Sequence, residues 1–556
     1  MAVSNEVIAN SFSLLAKLMD IHGENPFKIK SYAAASFSIE RLTEELNEIP
    51  REKISSIKGI GPSIGKQIIG ILDTGELPQL REIIGKTPPG VLEMLRIKGL
   101  GPKKISTIWK EMEIESIGEL MYACNENRLM LYKGFGEKTQ NNIRETIAFY
   151  LRNQGSFLFA EVEGYVLSVH KLLRENFPGQ LISITGAFRR QLEILDEAEW
   201  ITCIESPDLA AFFRKGNFHV GEEKENLLCI SGNENINLKF HIVSPASFFT
   251  RVFETSCSPA FLENWNQQFK SAAAVDSEEK IFQQAAIHFI PSPLREDPDI
   301  IDQARQNSLP SPILTSDIKG IIHSHSNWSD GLHTVEFMAK ACIEQGFEYL
   351  VISDHSKSAF YANGLSEERI REQHLYIDEL NSKLAPFYIF KSIECDILND
   401  GRLDYSDQIL STFDLVIASV HSNLKMTPEK AMSRLLGAIA NPHTRILGHP
   451  TGRLLLSRAG YPVDHKTLIN ACAELGVVIE LNAHPRRLDM DWRWIPYALK
   501  KNVMISIDPD AHSTAGYHDI HYGVLAAQKG GLTAAQNLSS LSLAQMKTFV
   551  EKKRVK

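Results

Sequence analysis

No two of the seven cysteines in this 556-residue chain are spaced as Cys-x-x-Cys. A disulfide framework or a zinc knuckle is therefore not expected, and reduced thiols are. No apolar run approaches the roughly 18 residues needed to cross a bilayer. Residues 1–12 lack a basic segment followed by an apolar stretch, so no secretory signal is expected. A cytoplasmic location follows from these readings. Basic charge is not in excess either: the formal net charge is −9, which excludes a chain coated in cations. A local basic face is still compatible, because residues 51–150 hold 15 Lys/Arg against 12 Asp/Glu.

The chain is too long for one hydrophobic core, so three or more domains are expected. Over residues 1–150 apolar positions recur every three to four residues (Ile8, Phe12, Leu15, Leu18), which predicts helices. One short motif occurs three times there: Lys58-Gly59-Ile60-Gly61-Pro62, Lys98-Gly99-Leu100-Gly101-Pro102 and Lys133-Gly134-Phe135-Gly136-Glu137. Each follows an apolar stretch and opens a new helical pattern. The glycines permit a tight turn, and N–H groups at the following helix start can bind a DNA phosphate without sequence preference. The sites expected to touch DNA are Gly59, Gly61, Gly99, Gly101, Gly134 and Gly136.

Residues 153–245 alternate strand-like and helical runs, an α+β pattern, and 246–305 read as a small helical piece. Pro310 and Pro312 mark a linker. From residue 316 to 556, seven short β-rich runs alternate with helical segments, the pattern of a parallel α/β fold.

Each of those seven runs ends in a metal-capable or polar residue. In order they are His323-Ser324-His325 with Asp330 beyond, Asp354-His355, Glu394, His421, His449, Asn482 with His484, and Asp510-Ala511-His512. A parallel barrel brings all C-terminal strand ends to one face, so ligands remote in sequence meet in one pocket. Imidazole and carboxylate donors suit Zn²⁺, Mn²⁺ or Fe²⁺. So many ligands exceed one tetrahedral ion, and two or three metals with a bridging carboxylate are expected. Such ions activate water at neutral pH and offset charge on phosphorus, the chemistry of phosphate-ester hydrolysis.

These motifs, with Ser329-Asp330-Gly331, Glu394-Cys395-Asp396-Ile397 and Gly448-His449-Pro450, closely resemble those of the PHP (polymerase and histidinol phosphatase) domain. The resemblance implies a distorted (β/α)7 barrel with a trinuclear cluster held by His323, His325, Asp330, His355, Glu394, His421, His449, Asp510 and His512. Arg453 and Arg487 lie in runs that also look like this domain and are candidates for holding substrate phosphate.

The order of parts resembles bacterial family X DNA polymerases over nearly the whole chain. It implies a helix-hairpin-helix DNA-end-binding domain (1–80), a helical fingers-like domain (81–152), a nucleotidyltransferase-like palm (153–245), a thumb-like piece (246–305) and the PHP domain (316–556). At the family's lyase-lysine position stands Gln67, which disfavours a lyase. At the palm, Gly186-Ala187-Phe188-Arg189-Arg190 matches except for Ala in place of Ser. The expected Asp-x-Asp is Glu197-Ala198-Glu199, and Lys239 falls where a third Asp belongs. A Mg²⁺ pair at the palm is therefore disfavoured.

The leading expectation is a monomeric DNA-binding phosphoesterase, a 3′–5′ exonuclease or 3′-end-processing enzyme of DNA repair. It would act on gapped, nicked or 3′-ended DNA without sequence preference and without a membrane partner. The alternatives are an active gap-filling polymerase carrying a PHP exonuclease, and a small-molecule phosphatase resembling histidinol phosphatase.

Overall fold

The computed structural model describes residues 4–552, except 41, 43, 58–59, 98, 152–154, 222–223, 225, 233–235 and 270–273. The chain divides into two compact units. One is 1–124 with 132–150, and the other is 125–131 with 151–556.

The first unit is helical. Two of its hairpins are described in part and one in full. Gly99 and Gly134 have φ of +94° and +95°, a region that side chains with a Cβ rarely enter. The residue between each glycine pair (Ile60, Leu100, Phe135) is buried and pins the turn to the core. Helices Pro62–Thr74 and Pro102–Lys110 begin at Gly61 and Gly101, each with proline in the first turn and no side-chain cap. A Cβ added at Gly61, Gly99, Gly101, Gly134 or Gly136 would meet nothing within 4 Å. Packing therefore does not demand glycine at these positions, and the space before the turns is open to a close-approaching phosphate. Gly59 lies outside the described residues. Gln67 donates to the Tyr32 hydroxyl at 3.0 Å and lies against Gln79, so the position holds an amide in a polar network.

In the second unit a five-stranded sheet runs in the order Ile182–Thr185, Glu197–Thr202, Asn237–Ile242, Leu227–Ser231, His219–Val220. The two strands carrying the palm residues pair in parallel, with Glu197 opposite Asn237 and Glu199 opposite Lys239. The helical piece that follows is tied to the palm by ion pairs. Glu278 accepts from both Arg189 and the fully buried Arg295, and Glu296 accepts from Arg190 at 2.7 Å.

Seven parallel strands then form a barrel: Gly320–Ser324, Tyr349–Ile352, Tyr388–Asp396, Leu415–Ser419, Ile446–Leu447, Val478–Asn482 and Ile505–Asp508. A bridge between Ser324 and Ala511 joins first to last. Alternation along each strand sorts side chains into two clusters. Ile321, Leu350, Ile389, Val416 and Ile479 pack on the surrounding helices through Met338, Ile377, Leu435 and Leu468. Ile322, Val351, Phe390, Ile417 and Val478 form the other cluster with Leu538 and Met546, which fills the barrel interior. The stretch read as a linker is packed down rather than loose: Ile313 is buried, its N–H donates to Leu532 and its carbonyl accepts from Gln528. The buried Ile313 side chain is the apolar anchor that proline counting overlooks.

Candidate metal centre

The first barrel strand breaks register between Ile321 and Ser324, and His323 within the break has φ +60°. Asp510, just past the last strand, has φ +52°. Left-handed backbone at non-glycine residues costs free energy and clusters at functional sites. Here it lies at the seam of the barrel, beside the Ser324–Ala511 bridge. A Cβ on Gly331 would stand 2.0 Å from the His325 carbonyl oxygen; only glycine lets the loop fold back and carry Asp330 over the barrel mouth.

All nine expected ligands gather at the C-terminal strand ends, and eight of them are buried. His421 is the ninth, with its side chain 10% exposed. Glu394 stands at the centre. Its Oε1 is 2.9 Å from His449 Nε2, 3.0 Å from His421 Nε2 and 3.2 Å from His323 Nε2. Its Oε2 is 3.0 Å from His355 Nδ1 and 3.6 Å from His325 Nε2. Asp510 Oδ1 lies 3.0 Å from His325 Nε2. Asp330 Oδ1 is 3.5 Å from His512 Nε2, and its Oδ2 is 3.5 Å from His355 Nε2.

Ligand atoms within 4.8 Å of one another form three groups: His323, His325, Glu394 and Asp510; His325, Asp330, His355 and His512; and His355, Glu394 and His421. His325, His355 and Glu394 are each shared by two groups.

Hydrogen bonding tests whether cations fit. His323 Nε2, His325 Nδ1, His355 Nδ1, His512 Nε2, Asp330 Oδ2 and Glu394 Oε2 are buried without a hydrogen-bond partner. Each such atom costs about 1–3 kcal/mol when left unsatisfied, a heavy load for one pocket. Divalent ions among these nitrogens and oxygens remove that penalty, so the donor set fits Zn²⁺, Mn²⁺ or Fe²⁺.

The protonation states describe the same cage. Burial works against charge on His421, yet Glu394 and Asp396 outweigh it and hold the imidazole up to about 10. Burial likewise opposes charge on His512, but Asp330 prevails and the ring is also held up to about 10. Burial, aided by His512 and His355, drives His325 down to about 3.

A supporting layer sets ring orientation, and the sequence reading did not identify it. Glu480 accepts from His323 Nδ1 at 2.6 Å and from the His449 amide at 3.2 Å. Asp396 accepts from His421 Nδ1. In both rings this bond fixes the orientation that turns Nε2 toward Glu394. Asp354, read only as part of the Asp-His pair, accepts from Ser326 and Ser329 through backbone and side chain, and from Gln373 at 2.6 Å. It fixes the loop that carries Asp330. Asn482 donates to both Glu480 and Asp510 at 3.0 Å. Glu480→Gln is expected to lower metal affinity about 10–100-fold with the fold intact, the usual cost of losing such a partner; competition with a chelator measures it.

The two arginines separate. Arg453 donates to the carbonyls of Arg487 and Leu488 and to Asp491 at 2.6 Å. Its guanidinium is committed to the rim, so the expectation that it holds phosphate is dropped. Arg487 Nε stands 3.9 Å from Asp510 Oδ2, at the edge of the cage.

The palm residues also meet. Lys239 donates to Glu197 at 2.9 Å, and His241 Nε2 lies 2.9 Å from Glu199. His241 is a further missed residue. It follows Lys239 by two, so strand alternation places it on the same face, and that was the available signal.

Two family models match the front of the chain. One, described as a helix-hairpin-helix domain, covers residues 3–77. The other, a SAM-like helix-hairpin-helix tandem, covers residues 91–148. The DNA polymerase/3′-5′ exonuclease PolX of Bacillus subtilis (strain 168) is 29% identical over 571 aligned residues, covering 97% of this chain and 98% of that protein. A probable phosphatase of Thermoanaerobacter sp. (strain X514) is 23% identical over 257 residues, covering 43% of this chain and 98% of that protein. Another, of Caldanaerobacter subterraneus subsp. tengcongensis, is 28% identical over 170 residues, covering 29% of this chain and 60% of that protein. Among the described residues no helix is long and apolar enough to cross a membrane.

Proposed function

Because the chain is a family X DNA polymerase-like protein with a C-terminal PHP domain, we propose that it hydrolyses phosphate esters at DNA 3′ ends as a metal-dependent 3′–5′ exonuclease of DNA repair. The observation that carries this reading is the buried cage around Glu394, in which three overlapping groups share His325, His355 and Glu394. His323, His325, Asp330, His355, Glu394, His421, His449, Asp510 and His512 hold the metals in this proposal, three ions per chain. When bound, the ions supply an activated water and positive charge opposite the phosphoryl oxygens.

The remaining work falls to the chain itself. Glu480 and Asp396 hold the imidazoles in the orientation that presents Nε2 to the cage. Arg487 binds the non-bridging phosphate oxygens through charge-assisted bonds. The hairpin turns at Gly61, Gly99, Gly101, Gly134 and Gly136, with Gly59 by sequence, grip the DNA backbone without reading bases. The palm does not polymerise in this reading, because Glu197 is paired with the Lys239 ammonium and Glu199 is occupied by the His241 imidazole.

A second reading, hydrolysis of a small phosphomonoester, draws support from the likeness of the PHP region to probable phosphatases. One experiment separates the two. Purified protein is incubated with Mn²⁺ and end-labelled single-stranded, recessed or gapped DNA, and in parallel with histidinol phosphate, comparing wild type with His355→Ala. Shortening from the 3′ end that His355→Ala abolishes is the expected result. Phosphate release from histidinol phosphate with no DNA shortening would favour the second reading.

A further inference from the structure

The palm keeps its sheet and its core while its carboxylates are paired with Lys239 and His241, which leaves open what the palm does. Three polar bridges join it to the barrel. Arg486 donates to Glu161 at 2.7 Å, His521 Nε2 lies 2.8 Å from Glu163, and Lys529 donates to the Gln191 carbonyl at 2.6 Å with Glu193 at 3.2 Å. The Lys529 side chain is fully enclosed. An ammonium so enclosed is stable only while its partners are present, so this junction is a permanent part of the fold.

Of the barrel residues involved, Arg486 lies on a loop, 484–489, while His521 and Lys529 belong to helix Ile520–Lys529. Pro485 and Leu488 line a small cleft against the palm's Phe159, Gln191 and Glu193. Arg486, between them, is buried and points its guanidinium out of the barrel to Glu161. Arg487, the next residue, points the other way, toward Asp510 of the cage. The backbone between them is fixed on the barrel side too. The Arg487 N–H donates to the His484 carbonyl at 2.7 Å, and Arg453 holds the Arg487 and Leu488 carbonyls. The bond to Glu161 adds a palm-side anchor, one residue from Arg487, to a loop that the barrel holds from its other side.

We propose that the palm serves the hydrolase as a brace, and that Glu161 is a positioning residue which, through Arg486, holds Arg487 where it meets the substrate phosphate. The proposal rests on the phosphate role given to Arg487 above. A displacement of about 1 Å at a reacting centre costs up to about 10²-fold, and outer partners of a site commonly contribute 10–100-fold.

The test compares full-length wild type, Glu161→Gln, Glu161→Asp, Arg487→Ala and the Glu161→Gln/Arg487→Ala double variant. Each is assayed for KM and kcat with single-stranded DNA and Mn²⁺, and for bound metal by elemental analysis. Glu161 pairs with the buried Arg486 and also accepts from the Leu158 N–H at the start of its helix, so a thermal melt of each variant accompanies the assay and only folded variants are compared. Glu161→Gln is expected to raise KM about tenfold with kcat and bound metal unchanged. Glu161→Asp is expected to recover part of the loss, and the double variant to be no worse than Arg487→Ala alone. Wild-type KM in Glu161→Gln, or additive losses in the double variant, would overturn the brace while leaving Arg487 in place. Wild-type KM in Arg487→Ala would overturn the phosphate role of Arg487 and the brace with it.

Discussion

Glu394→Gln is expected to abolish DNA hydrolysis, with a loss of at least about 10³-fold, while the protein stays folded. The exchange keeps size and shape but removes the one charge on which five imidazoles converge, at 2.9 to 3.6 Å. Two of the three ligand groups contain Glu394, so ions held by those two groups would both lose a carboxylate. A bound ion supplies several kcal/mol of charge stabilisation in a transition state, and about 4 kcal/mol is about 10³-fold in rate. The checks are bound metal by elemental analysis, turnover of end-labelled DNA, and a thermal melt to show that the barrel persists. Residual hydrolysis above about a tenth of wild type would mean that Glu394 does not bridge.

The second large effect is an absence of templated synthesis. With a primed template, all four nucleotides and either Mg²⁺ or Mn²⁺, no primer extension is expected above background. Mg²⁺ needs near-octahedral oxygen ligands at roughly 2.0–2.1 Å. Here Glu197 is bound to an ammonium at 2.9 Å and Glu199 to an imidazole at the same distance. Burial would raise the Glu199 carboxyl, but His241, Lys239 and Arg190 overcome it and hold the group below the usual carboxylate range. That carboxylate is thus stabilised by protein cations, and a metal would have to enter against the Lys239 charge. Efficient, template-directed extension would refute the loss of polymerase function and favour the gap-filling alternative.

What sequence disclosed follows from how local each signal is. Strand ends carrying a His, Asp or Glu are visible within three residues, two of them as His-x-His or Asp-x-His, and seven short β-rich runs in series predict a parallel barrel. The cage was therefore expected as a set. Its hub was not, because nothing in the spacing separates Glu394 from the other carboxylates; only the barrel's closure puts five rings around it. Glu480 reads as one more residue of an apolar strand, and its bond to His323 spans 157 positions. Asp354 was visible as part of a pair, but its bonds into the 326–329 loop depend on the fold of that loop.

Arg453 and Arg487 look alike in sequence, and only the fold shows that Arg453 bonds to loop carbonyls and Asp491 while Arg487 faces Asp510. The junction of palm and barrel was the least legible part, since Glu161 and Arg486 are 325 residues apart. Their side-chain types alone predict only solvated charges.

The most direct test of the central claim is the metal content of the purified full-length protein, read together with the anomalous signal of a crystal. About three Mn, Zn or Fe per chain are expected. They should lie among His323, His325, Asp330, His355, Glu394, His421, His449, Asp510 and His512, and bound metal should fall in Glu394→Gln. A crystal grown with Mn²⁺ in which these nine side chains hold no metal would contradict that claim.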